Sequence, residues 1–69
     1  MDATGIDLLR RWLANQRMTQ AEFAARLRTY QPTVSQVMNG KRPPSWELAF
    51  RIEELTGIPA KLLRERRAA

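Results

Sequence analysis

The chain of 69 residues has no cysteine and no histidine. Without cysteine, no disulfide can staple the fold and no thiolate can hold a metal. Without histidine, the usual general base at neutral pH is missing. The carboxylates do not make up the loss. Asp2, Asp7, Glu47 and Glu65 are scattered, Glu22 is explained by a helix cap, and the adjacent Glu53 and Glu54 diverge by ~100° on a helix. There is no glycine-rich phosphate loop and no metal-ligand spacing, so the sequence predicts no catalytic residue, no metal and no cofactor. No apolar run is long enough for a membrane span or a secretory signal. The cytoplasm is then the simplest location.

What is present is basic and moderately apolar. Twelve Lys and Arg stand against 7 acids, giving a formal charge of +5 and a pI near 11.1. That balance favours a polyanion partner, nucleic acid first and a membrane surface second. A merely solvated basic surface accounts for the charge equally well. A hydrophobic share of 43% argues for a folded chain over a disordered one. One domain is expected across residues 1–69. A chain this short buries only ~60% of its unfolded surface, so its core is marginal.

Five short helices are expected. The first begins at Thr4 or Gly5, with Asp7 suiting its positive dipole end, Ile6, Leu9 and Leu13 as its apolar stripe, and Leu8 and Trp12 widening it. Arg10 and Arg11 point elsewhere, and Ala14-Asn15-Gln16 is a weak ending. Thr19 followed three residues later by Glu22 forms a capping box for the second helix, whose stripe is Phe23, Ala24 and Leu27. Arg28-Thr29-Tyr30 breaks that pattern. A third helix starts near Gln31 with Pro32 in its first turn, buries Val34, Val37 and Met38, and ends at Asn39-Gly40. Pro43 and Pro44 make an extended link, and Ser45 caps a fourth helix that runs to about Thr56 and stops at Gly57. A last helix opens at Ile58-Pro59 and carries Leu62 and Leu63. Its end is basic, and residues 65–69 are expected to fray.

Residues 18–40 organise the rest. Opposite Val34 and Val37, the third helix leaves Gln31, Pro32, Ser35 and Gln36, a face that is polar but uncharged. Simple solvation would favour Lys or Glu there. Gln offers one acceptor and two donors, which match adenine N6 and N7 in the major groove, and Pro32 suits a thymine methyl. Arg17, Asn39, Lys41 and Arg42 flank this face as candidate phosphate contacts.

Thr19-Gln20, Ala24, Leu27, Gln31, Val34, Val37 and Asn39-Gly40 follow the spacing of a known motif. The segment resembles the helix-turn-helix of the Cro and phage-repressor family, shared with many small bacterial regulators. The resemblance continues through Lys41-Arg42-Pro43-Pro44-Ser45 and Ile52-Glu53-Glu54-Leu55-Thr56-Gly57, so it covers most of the chain. It implies an all-α, lambda-repressor-like bundle with the motif at about 19–40. It also implies that Gln20 holds a phosphate and braces Gln31 through an amide pair, and that Ala24 is small because two helices cross there. The chain departs from the family at the turn. Arg28 stands where Gly is usual, and Thr29 and Tyr30 stand where an apolar residue and a Ser-like cap are usual. Arg28 and Tyr30 either touch DNA backbone or only fill the turn.

The function expected is sequence-specific binding to double-stranded DNA, as a Cro-like repressor on a palindromic operator. One such module is small, so a weak or DNA-dependent homodimer is expected, with Trp46 and Phe50 as candidate contacts and Leu62 and Leu63 as either core or dimer contacts. Trp12, Phe23, Trp46 and Phe50 lie on helical apolar stripes and are expected in the core rather than as stacking platforms. The competing reading is a protein-interaction module or antitoxin on the same fold. A basic membrane-surface peptide fits poorly, because the apolar residues are spread over several capped helices.

Overall fold

The computed structural model describes residues 5–64. Thr4 as a helix start, the expected frayed tail 65–69, and Asp2 and Glu65 lie outside the described residues. The described part is all-helical: α1 (Gly5–Gln16), α2 (Gln20–Leu27), α3 (Gln31–Met38), α4 (Trp46–Thr56) and α5 (Ala60–Arg64). The five expected helices are therefore all present, and most of their boundaries have a local cause.

The capping box at α2 is complete. Thr19 Oγ1 accepts from the Glu22 amide at 3.1 Å, and the Thr19 amide donates back to Glu22 Oε1 at 3.3 Å. Ser45 caps α4 by accepting from the Leu48 amide at 3.2 Å. At α5 the cap comes from a distance: the Ala60 amide donates to Glu53 Oε1 at 2.8 Å. A five-residue helix is too short to stand alone, so this bond and the burial of Ala60 and Leu63 fix it in place.

Three helix ends share one device. An amide two or three residues past the helix end reaches back to the carbonyl five residues earlier, and the residue just before that amide adopts the left-handed conformation. After α1, Met18 donates to Leu13 O at 3.0 Å with Arg17 at φ 53°. After α2, Thr29 donates to Ala24 O at 3.0 Å with Arg28 at φ 57°. After α3, Lys41 donates to Gln36 O at 3.0 Å with Gly40 at φ 71°. Glycine is the usual occupant because a Cβ is disfavoured there. Two of the three positions hold arginine. The weak sequence ending at Gln16 is thus closed by a geometry that Arg17 itself does not advertise.

The core gathers Leu9, Leu13, Phe23, Leu27, Val34, Val37, Met38, Ile52 and Leu63, with Trp12 and Leu55 packed at its edge. Trp12 and Phe23 meet at 6.0 Å between ring centroids. Ala24 is 3% exposed, and α2 packs chiefly on α3, as a small residue at that crossing allows. Gly5 sits against α5: a Cβ there would lie 2.5 Å from the Leu62 carbonyl oxygen, so only glycine lets the two helices approach this closely.

The fourth helix corrects one expectation. Leu48, Ala49 and Ile52 close the core, whereas Trp46 and Phe50 are 49% and 53% exposed. At 100° per residue Trp46 and Phe50 share a ridge that the core-facing stripe turns outward. They stack on each other at 5.6 Å, and the Arg64 guanidinium lies 4.7 Å from the Trp46 ring. For Leu63 the structure selects core from the two expected alternatives, core or dimer contact. At 3% exposed it is core and has no surface to offer a second copy, while Leu62 is half-buried.

Candidate nucleic-acid interface

The third helix presents its amino end as a protrusion. Tyr30, Gln31 and Pro32, the cap and first two residues of α3, are all exposed. Three consecutive residues on a helix point ~100° apart, so their joint exposure means that nothing packs around this tip. Val34, Val37 and Met38 anchor the other side of the helix in the core. Gln36 is exposed one turn along from Pro32. Ser35 is half-buried, and its hydroxyl accepts from Asn39 Nδ2 at 3.4 Å.

The candidate phosphate contacts lie at the ends of the motif helices. Arg17 is exposed just before α2, held by its left-handed backbone. Asn39, Lys41 and Arg42 are exposed after α3, where the turn at Gly40 redirects the chain. Gln20 is the first residue of α2 and is half-buried. Among the described residues, no hydrogen bond joins Gln20 to Gln31. The expected brace between them is therefore not made in this structure.

Three arginines that the sequence left aside do structural work around this site. Arg10 on α1 donates to the carbonyl of Met38, the last residue of α3. Arg51 on α4 donates to Leu27 O, the last residue of α2, at 3.2 Å. Arg64 on α5 donates to Pro44 O at 2.8 Å. At Met38 and Leu27 the carbonyls of a helix end lack intrahelical partners, and a cation there also suits the negative dipole end; Pro44 instead lies in the link before α4. Sequence spacing signals only the local parts of these contacts: Arg51 pairs with Glu47 at 2.8 Å, four residues away. No periodicity points from an arginine to a carbonyl 24 or 28 residues distant.

Among the described residues there is no group of His, Cys, Asp or Glu placed to hold a metal. No helix of the described residues is long and apolar enough to cross a membrane.

A short helix capped by Thr19 and Glu22, a left-handed turn and a second helix with an uncovered polar face make up a helix-turn-helix. Residues 9–63 match the family described as helix-turn-helix. The match covers most of the chain, which belongs to the Cro- and phage-repressor-type helix-turn-helix family, a family of DNA-binding regulators that are generally not enzymes. Comparison with curated proteins and with solved structures found no match.

Proposed function

We propose that this protein is a sequence-specific regulator that binds double-stranded DNA, a Cro-like repressor acting by operator occupancy. The observation that carries the proposal is the uncovered tip of α3. Gln31, Pro32 and Gln36 are exposed, uncharged side chains on a helix whose opposite side is locked into the core. Gln31 and Gln36 would pair with base edges, with adenine the best match, and Pro32 and Ser35 would add shorter contacts. Arg17, Gln20, Asn39, Lys41 and Arg42 would hold phosphates on either side and set the register. A helix laid in the groove in this way blocks access to the same duplex. A DNA partner also places the working compartment with the nucleoid in the cytoplasm.

A single helix-turn-helix buries only ~600–1,000 Å², so tight specificity asks for two copies on half-sites ~34–36 Å apart. The exposed, mutually stacked Trp46–Phe50 pair offers a surface for such a weak or DNA-dependent dimer, and the half-buried Leu62 on α5 is a further candidate contact. The same pair supports a second reading, a protein-interaction module or antitoxin that uses α4 to hold a different partner.

Selection from a pool of random duplexes, followed by sequencing, tests the first reading. An enriched palindrome is expected; a pool that stays random overturns base reading. Salt separates the two readings. If Arg17, Lys41 and Arg42 each neutralise one phosphate, log K falls with log[salt] at a slope near −2.7 per protomer. An apolar protein interface would be nearly insensitive to salt.

A further inference from the structure

Tyr30 is the most exposed large hydrophobic residue of those described, at 78%. It occupies the N-cap of α3, where Ser, Thr, Asp or Asn would satisfy a free amide, and it makes no side-chain cap. It therefore stabilises neither the helix nor the core. The other two exposed aromatics differ. Trp46 and Phe50 stack on each other, and Arg64 covers Trp46. The Tyr30 ring has no such partner among the described residues.

Its position is specific. Tyr30 immediately precedes Gln31, on the turn of α3 that stands clear of the body. When a recognition helix enters the major groove, its amino-terminal residues meet the base edges. The groove edges of the bases carry donors, acceptors and one apolar group, the C5-methyl of thymine. An aromatic ring brought to that edge has one complementary surface to cover. We infer that Tyr30 reads the 5-methyl group of a thymine, its ring packing on that methyl beside the base contacted by Gln31. This inference rests on the DNA-reading function proposed above and adds a specificity-determining residue to it.

The test uses the whole chain and the duplex enriched from the random pool, resynthesised with deoxyuridine at each thymine in turn. Uracil keeps the pairing edge and removes only the methyl. Wild-type protein is expected to bind about fourfold more weakly when one particular thymine is replaced, the loss for one buried methyl-sized group. Tyr30→Phe keeps that discrimination, because the ring supplies it. Tyr30→Ala loses the discrimination at that one thymine, whatever contact Pro32 makes with another. Tyr30→Ser also loses the discrimination while its melting temperature holds or rises, since serine restores a cap; this separates lost reading from lost fold. Equal binding of all uracil duplexes by the wild type overturns the inference, as does a Tyr30→Ala profile that still discriminates at every thymine the wild type does. Loss in Tyr30→Phe equal to that in Tyr30→Ala assigns the contact to the hydroxyl and also overturns it. A pool without any enriched duplex instead removes the reading function itself, an outcome distinct from failure of Tyr30 alone.

Discussion

Arg51 Nη1 donates to the carbonyl oxygen of Leu27 at 3.2 Å, so α4 holds the last residue of α2 just before the turn. The bond links the scaffold to the motif at the point where the backbone becomes left-handed at Arg28. Arg51→Met keeps a flexible apolar stem and removes the donor. The side chain is 43% exposed, so solvent screens part of the gain. A loss of about 1 kcal/mol is expected, below the usual range for a bond to a charged group. Thermal unfolding should then fall by roughly 4–8 °C, the scale for a domain of this size. An unchanged melting temperature would show that the latch carries no load.

The two left-handed arginines make a paired prediction. A left-handed L-residue costs roughly 1–2 kcal/mol, and glycine's extra freedom in the unfolded chain returns part of that, leaving a net gain of roughly 0.5–1 kcal/mol for Arg28→Gly. Arg17→Gly should stabilise similarly. It should also weaken binding to random and selected duplexes alike, and reduce the salt slope by about 1, as loss of one phosphate contact does. If Arg17→Gly stabilises without touching the salt slope, Arg17 is not at the DNA backbone.

Ala24→Leu introduces volume at the crossing of α2 and α3, where Ala24 is 3% exposed. Overpacking of about 1–3 kcal/mol is expected. Denaturant unfolding reads it directly, and a midpoint equal to wild type would mean that the crossing yields.

Gln31→Ala should weaken binding to the selected duplex by ~1–3 kcal/mol while random-duplex binding stays near wild type. Equal losses on both would place Gln31 on the backbone instead of the bases. Since Gln31 is exposed and contributes nothing to the core, its folding stability should be unaffected.

Most of the architecture was legible because its signals are local. Thr19 with Glu22, Pro32 in a first turn, Ser45 before Trp46 and Gly57 after Thr56 each fix one helix end through nearest-neighbour chemistry. The polar tip of α3 was legible for the same reason: a 3.6-residue period separates Val34 and Val37 from Gln31 and Gln36. Periodicity failed on α4: the spacing puts Trp46, Ala49, Phe50 and Ile52 on one broad stripe beside Leu48 and Leu55, but the structure buries Leu48 with Ala49 and Ile52 and turns Trp46 and Phe50 outward. Composition alone cannot decide between two apolar ridges on one helix, because only the positions of α1, α2 and α5 determine which one is covered. The Gln20–Gln31 brace was expected from family likeness, and it is absent here. The arginine latches were invisible because their acceptors are backbone carbonyls, and every residue has one.

Those acceptors have a wider consequence. Arg10, Arg51 and Arg64 grip the main chain at Met38, Leu27 and Pro44, so the moorings of the motif are indifferent to which side chains those residues carry. The outward residues of α3 take no part in them. Evolution, or an engineer, could rewrite positions 30, 31, 32 and 36 to retarget the helix while its attachment to the body stays as it is.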